Sequence, residues 1–269
     1  MTGFSAMRAG PCKRLLLLVI LLGAGSAGLA QQTQAPAKPF EPSVGQAGKD
    51  VIWVPTPQAL VDKMLDMAKV TPSDYVIDLG SGDGRTVITA AKRGARALGI
   101  EYEPDMVELS RQNAKREGVA NRVEFVKADL FESDLSRATV VTMFLLPAIN
   151  LKLRPTLLKL PPGTRVVSNT FTMGEWEPDE KVTLDQRTGC DATYCTALLW
   201  IVPAQVAGTH KTARGELTLT QDFQRVSGTL HADGKTIPVE GKVIGRQLVL
   251  AGGGRELRGR VNGSRVELS

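Results

Sequence analysis

An α/β domain built on a mostly parallel sheet, followed by a small all-β unit, is the fold class that this 269-residue chain predicts. Three observations lead to it. Between Tyr75 and Asn169, short apolar runs alternate with segments of helical periodicity, which is the pattern of βαβ units and a parallel sheet covered on both faces. Two later runs, near 182–186 and 196–202, are joined by a hairpin-length stretch instead of a helix, so the last strand pair is antiparallel. Beyond Ala204 only short β runs remain, split by Gly and Asp-Gly turns.

The elements follow in order. Residues 1–30 carry Arg8, Lys13 and Arg14, then an apolar stretch from Leu15 to about Leu22, then small residues ending at Ala30. This is the anatomy of a secretory signal peptide cleaved after Ala30, and the alternative is an uncleaved membrane anchor. Either reading sends the rest of the chain out of the cytoplasm, because the basic residues precede the apolar stretch. Cys12 also precedes that stretch, so it is not placed like a lipoprotein anchor. Residues 31–50 are Pro-, Gln- and Gly-rich without periodicity and read as a linker, with order beginning near Val51.

Thr56 is placed as a helix N-cap and Pro57 as the first helical residue, and Leu60, Val61, Met64, Leu65 and Ala68 then form one apolar face. Tyr75–Leu79 reads as a strand, 85–92 as a helix with Val87, Ile88, Ala90 and Ala91 inward, and 97–100 as a second strand. A helix over 104–117 is stopped by Gly118. Strands over 123–126, 139–145 and 165–169 and a helical segment near 150–158 complete the alternation. The plan is a leader over 1–30, a linker over 31–50, an α/β domain over 51–203 and a β unit over 204–269. In the last, "GKVIGRQLVL" aligns with "GRVNGSRVEL", matching Gly241 to Gly259 and Leu250 to Leu268, as expected of serial hairpins in a meander or barrel.

Charge narrows the function classes. The formal net charge is +5, yet three of the basic residues lie in the leader and residues 204–269 carry ten Lys/Arg against six Asp/Glu. Residues 31–203 carry 20 Lys/Arg against 22 Asp/Glu, net −2. The α/β domain therefore lacks the basic footprint of a nucleic-acid-binding surface. Both histidines, His210 and His231, fall in the β unit. No metal site is expected, because a structural zinc needs about four ligands. Cys190 and Cys195 flank "DATY" at a hairpin tip, where they can pair in an oxidising compartment or stand as two separate thiols.

The stretch that carries chemistry is "VIDLGSGDGR", residues 76–85. Its glycines at 80, 82 and 84 give G-x-G-x-G, which is neither the nicotinamide-dinucleotide fingerprint nor the ATPase phosphate loop. Asp78 before the turn and Asp83 within it repel a pyrophosphate and favour a cationic ligand. Glu101 ends the second strand, 23 residues after Asp78, where a carboxylate accepts ribose hydroxyls. Asp129 and Leu130 end the third strand, where an acidic side chain and a backbone N–H can hold an adenine edge. Amino acid, ribose and adenine contacts in chain order fit S-adenosylmethionine.

With those residues in place, 75–202 resembles a class I S-adenosylmethionine-dependent methyltransferase, a Rossmann-like seven-stranded sheet with an antiparallel last pair. Over roughly 50–180 the segments "VPTP", "DLGSGDGR", "GIEYEPDMVELSR", "DLFESDLSRATVVTMFLLPAINLKLRP" and "PGTRVVSNTFTMGEW" resemble the family of mitochondrial lysine methyltransferases that modify the ATP synthase c-subunit and the adenine nucleotide translocase, and their bacterial relatives. The resemblance implies that Asp78, Gly80, Ser81, Gly82 and Gly84 line the aminoacyl end of the cofactor, Glu101 the ribose, and Asp129 with Leu130 the adenine, and Asp83 within the turn is counted among the cofactor-binding residues. Thr56 is implied to lie in a segment folded over the cofactor. Phe144, Leu146 and Pro147 stand where methyltransferases of planar nitrogens carry Asn-Pro-Pro-Tyr, and an apolar mouth there suits a lysine stem. Trp176 is placed either in the same wall or in the core. The implied partner is a protein lysine, on a protein associated with a membrane, and no nucleic acid. No catalytic base is assigned, since residues 31–203 contain no histidine. Two other readings stay open: a small-molecule methyltransferase with the same cofactor site, and an exported non-catalytic binding protein that works through its β unit. Export sets a conflict, because S-adenosylmethionine is made in the cytoplasm.

Overall fold

The computed structural model describes residues 40–269. The leader read over residues 1–30 and the first part of the linker lie outside them. Ten residues form helix α1 (Gln58–Met67), which buries Leu60, Val61, Met64 and Leu65 along one side. Then come β1 (Tyr75–Leu79), α2 (Arg85–Lys92), β2 (Arg96–Glu101), α3 (Pro104–Arg116), β3 (Val123–Lys127), β4 (Val140–Met143), α4 (Pro147–Leu157), β5 (Arg165–Asn169), β6 (Glu180–Thr183) and β7 (Thr196–Ile201).

The strands pair in the order β3-β2-β1-β4-β5-β7-β6. Neighbours from β3 to β5 are parallel, whereas β7 runs antiparallel to both β5 and β6. The seven-stranded sheet with an antiparallel last pair, expected from the sequence, is the one found. Continuous burial along β1, β4 and β5 reflects helices on both faces. α1, α2 and α3 pack on one face through residues such as Leu65, Val87 and Val107. α4 packs on the other through Ile149, Leu153 and Leu157. The four residues predicted inward for α2 are all buried, together with Thr86.

Two sequence expectations change. Thr56 is not the cap of α1: Pro57 holds that position and no side chain caps the helix. The Thr56 hydroxyl instead accepts a hydrogen bond from Asn169 Nδ2 at 3.3 Å. A bond from a distant strand thus takes the hydroxyl that a local cap pattern claims. The chain is also organised before Val51. Gly45 N donates to Trp53 O and Trp53 N to Gln46 O, both at 2.9 Å, and Ala47 bridges Ile52, so residues 45–53 close into a short antiparallel loop.

The β unit comprises seven strands, β8 (Gly208–Thr212), β9 (Gly215–Asp222), β10 (Arg225–Ala232), β11 (Lys235–Ile244), β12 (Gln247–Gly252), β13 (Arg255–Asn262) and β14 (Arg265–Leu268). They form an antiparallel meander in chain order, and β14 returns beside β8. The sequence repeat is structural. Val243 and Val261 both face the core, as do Leu250 and Leu268, while Gly245 and Gly263 occupy equivalent turns at φ 58° and 61°. His210 bonds the Val206 carbonyl and His231 the Thr236 hydroxyl, so both imidazoles are engaged within this unit.

This unit seats on the amino-terminal edge of the large sheet. Phe223, in the β9–β10 turn at φ 50°, stacks on Trp176 with ring centroids 6.3 Å apart and lies under the Arg154 guanidinium. Gln224 Nε2 donates to Glu177 O at 2.7 Å, and Arg225 pairs with Glu177. Ala204 N donates to Gly245 O at 2.7 Å. Glu177 leads into β6 and Gly163, which lies against Gly245, leads into β5. Both mark the edge opposite the glycine loop.

Phe223→Ala removes the half-buried ring that joins the two units, a loss of roughly 2 kcal/mol. Calorimetry is expected to show a melting temperature lower by roughly 4–8 °C, and limited proteolysis a new cleavage between residues 203 and 207.

Candidate functional site

The strand order reverses between β1 and β4, and a crevice opens beyond the carboxyl ends of the strands at such a point. The β1 register sets Asp78 between Gly99 on β2 and Thr142 on β4. Its carboxylate is buried and accepts a hydrogen bond from Thr142 Oγ1 at 2.6 Å. Burial, and then the charges of Glu101 and Asp83, push its pKa from an ordinary 3.8 up to about 7, against the opposing bond from Thr142.

The glycine loop follows. Gly80, Gly82 and Gly84 all have positive φ, at 74°, 53° and 82°. At Gly82 and Gly84 the space is also taken: a Cβ would stand 2.7 Å from Trp53 Nε1 and 2.8 Å from the Phe125 ring, respectively. Only glycine meets both demands there. The loop is tied to the second strand end, because Gly82 N donates to Glu101 Oε2 at 2.9 Å. Glu101 Oε1 accepts from Tyr102 N and Glu103 N at 2.8 and 3.1 Å. Ser81 Oγ is buried and has no hydrogen-bond partner among the described residues.

Asp83 turns to Arg85, whose Nε and Nη2 donate to it at 3.0 and 2.6 Å. Arg85 Nη1 in turn donates to Thr56 O at 2.9 Å, which draws the segment before α1 toward the loop. Beyond the third strand, Asp129 accepts from Phe131 N at 2.8 Å and from Lys49 Nζ at 2.5 Å. That ammonium, ahead of the Phe131 amide, holds the Asp129 carboxyl below the usual carboxylate range. Lys49 also lies over the Tyr102 ring, 4.5 Å from its centroid.

One cleft brings these residues together. Thr56, Asp78, Gly80, Ser81, Gly82 and Asp83 line it with Glu101, Asp129 and Leu130. Gly84 lies behind it, against Phe125 and Ser110. Phe144 and Leu146 line the same cleft. Pro147 opens α4 at an exposed position.

Trp176 does not belong to the mouth. It is fully buried, packs between Trp200 and Phe223, and its carbonyl accepts from Trp200 Nε1 at 2.7 Å. After Phe171 the chain leaves the carboxyl edge and runs beside α4 toward the start of β6, which carries Trp176 away. The expected tryptophan wall is replaced by Phe171 and Tyr194, which line the cleft beside Phe144. Lys49, Trp53 and Tyr102 line it as well. The motif "SNTF" pointed near Phe171, but a linker-like composition hid Lys49.

A glycine loop at a strand-to-helix turn, three acidic strand ends about it and this strand order define an S-adenosylmethionine-dependent methyltransferase. A family model described as the ANTKMT methyltransferase domain matches residues 78–180. A protein-lysine N-methyltransferase of Saccharolobus islandicus (strain REY15A) is 46% identical over 138 residues, 50% of this chain and 86% of that protein. The ATP synthase c-subunit lysine N-methyltransferase of Xenopus laevis is 38% identical over 128 residues, 47% of this chain and 56% of that protein. A solved Salinibacter ruber protein in complex with S-adenosyl-L-homocysteine, described as an RNA methyltransferase, is 52% identical with a TM-score of 0.53, covering 57% of this chain and 96% of that one. The chain belongs to the ANTKMT methyltransferase family.

Asp78 gives the unliganded protein a pH signature. Its folded pKa lies above its unfolded one, so its proton favours the folded state. The stability it contributes is full below about pH 4 and is lost as pH rises through about 7. Urea titrations between pH 5 and 7 are expected to show Asp78→Asn removing a decline of up to about 1.4 kcal/mol per pH unit.

Proposed function

We propose that the chain transfers the methyl group of S-adenosylmethionine to the ε-amine of a protein lysine. The observation that carries the acceptor is the apolar rim beside the glycine loop. A Cβ on Gly80 would stand 3.2 Å from Leu145 Cδ2, and Phe144, Leu146 and Phe171 continue that surface around the cleft. Such a rim takes an aliphatic stem and strips water from its amine, which favours the uncharged form that has a lone pair to give. The names borne by the Saccharolobus and Xenopus relatives support this reading. The Salinibacter description points to RNA instead. The net charge of −2 over residues 31–203 weighs against a phosphate-tracking surface.

For the cofactor, the residues fit. Among the described residues Asp78 is a buried carboxylate with one side-chain partner, and Ser81 Oγ is buried with none, so this end of the cleft has hydrogen-bonding capacity left for an aminoacyl group. We assign Asp78, Ser81 and the loop glycines to that group, Glu101 to the ribose, and Asp129 with Leu130 to the adenine. Lys49 already bonds Asp129, so it shares or yields that carboxylate when adenine binds. The sulfonium supplies both the methyl group and its leaving group. The protein's own work is to align the acceptor and keep water out. Export or membrane anchorage by the leader remains part of this proposal, with a membrane-associated acceptor.

Two experiments test the reading. Tritiated-methyl transfer is run with polylysine and with transcribed ribosomal RNA. Label in polylysine supports it, and label confined to RNA overturns it in favour of the Salinibacter description. Calorimetric titration tests the cofactor assignment. Affinity for S-adenosylmethionine is expected to rise from pH 6 to 8 as Asp78 ionises toward a cationic amine. Asp78→Asn is expected to weaken binding about 10–100-fold, the worth of a charge-assisted hydrogen bond, and to flatten that rise.

A further inference from the structure

The acceptor side of the cleft ends in a cluster of three rings drawn from three strand ends. Phe144 follows β4, Phe171 follows β5, and Tyr194 precedes β7. Because β7 runs antiparallel to β5, with Asn169 opposite Ala197, the residues before β7 reach the same edge as the residues after β5. The ring centroids lie 5.9 Å apart for Phe144–Phe171, 5.3 Å for Phe144–Tyr194 and 5.6 Å for Phe171–Tyr194. These are direct-contact separations. A cation held between two rings needs each centroid within about 6 Å of it and so holds the rings farther apart. The cluster is therefore a continuous wall along which an aliphatic chain can lie, with an ammonium over its face.

The backbone holds the Phe171 ring firmly. Thr170 sits at φ 59°, a conformation that costs a β-branched residue energy. It is fixed there by Thr170 N donating to Thr196 O at 2.6 Å and Phe171 N to Asn169 O at 2.7 Å. Tyr194 is held differently. Asp191, Ala192, Thr193 and Tyr194 make no backbone–backbone hydrogen bond among the described residues. At either side of them Cys190 and Cys195 are joined, with their Cα atoms 6.0 Å apart. Both cysteines are buried in the core that contains α1. Cys190 N donates to Asp185 O at 2.9 Å, and Leu184 N to Cys195 O at 2.8 Å. The tip that carries Tyr194 is thus anchored at its two ends by these backbone bonds and closed across them by the disulfide, and between the ends it is held by its ring contacts.

We propose that Tyr194 is a specificity-determining residue of the acceptor mouth, held against Phe144 and Phe171 by the Cys190–Cys195 bond, so that affinity for an aliphatic amine depends on that bond. The proposal rests on the lysine reading above and deepens it. It gives the bond a chemical consequence at the site. Two thiols of dithiothreitol reduce it, the S–S bond breaks, each sulfur gains one electron and one proton, and the reductant leaves as its cyclic disulfide. The tip is then free to carry Tyr194 off the wall.

The test uses the full chain, tritiated S-adenosylmethionine and polylysine. Tyr194→Ala is expected to raise KM for polylysine about tenfold, the scale of one lost ring contact. The same variant should leave kcat within about threefold and the Kd of S-adenosylmethionine within about twofold. Tyr194→Phe should keep KM within about twofold, since the ring and not the hydroxyl does the work. Tyr194→Leu, which keeps bulk at the position, repeats the measurement should the alanine variant be poorly folded. A Cys190→Ser/Cys195→Ser variant should raise KM at least about threefold and be indifferent to dithiothreitol, while dithiothreitol moves the unaltered chain to the same value. An unchanged KM in Tyr194→Ala, or a loss of cofactor binding with it, overturns the role of Tyr194. An unchanged KM in the double serine variant overturns the tether. If the unaltered chain methylates RNA and not polylysine, the lysine reading itself has failed.

Discussion

The reversal of strand order between β1 and β4 is the constraint on which the rest of the molecule depends. Two adjoining strands whose connections depart in opposite directions leave no crossover above their carboxyl ends, and a ligand can settle there. The hydrogen bond from Thr142 to Asp78 spans those two ends. It holds a carboxylate in a place where burial alone argues against a charge. Most of the cleft then lies on loops that leave the same edge: the glycine turn, the acidic ends of β2 and β3, and the rim after β4 and β5, with the segment before α1 completing it. The antiparallel β7 joins them through its beginning, which is how a residue as late as Tyr194 reaches a site founded at Asp78.

Electrostatics gives that edge its sign. Asp78, Asp83, Glu101 and Asp129 converge on one cleft, and each is answered in a different way. Arg85 neutralises Asp83, Lys49 pairs with Asp129, and backbone amides surround Glu101. Asp78 is answered by a single hydroxyl, too little to offset burial and the charges of Glu101 and Asp83, which raise its pKa. A cationic group arriving beside it restores the charge at little cost, so the same carboxylate weakens the unliganded fold and strengthens the liganded one.

Much of this was legible because it is local. Helix α2 announces itself by spacing, and the residues predicted inward are all buried. The glycine loop is a matter of backbone sterics over five residues, and the sequence records it directly. Tertiary facts were not legible in the same way. Thr56 looks like a cap until Asn169, 113 residues away, bonds its hydroxyl. Residues 45–53 have a linker's composition, and their order comes from three backbone bonds and from Trp53 lying on Gly82. Phe171 and Tyr194 meet only because of the register between β5 and β7, which periodicity in one strand cannot encode. Trp176 shows the reverse case: an aromatic near the right strand end belongs to the core because the chain has already turned away.

The seating of the β unit beneath the large sheet sets an orientation for the whole molecule. Phe223, Gln224 and Arg225 fasten it near Trp176 and Glu177, at the pole opposite the catalytic opening. Anything that grips the outer wall of this unit leaves the opening pointing outward, unshaded and at a fixed height. Immobilising the protein through its last sixty residues therefore presents the reactive end to solution, whereas fastening it by the loop at residues 45–53 turns that end toward the support.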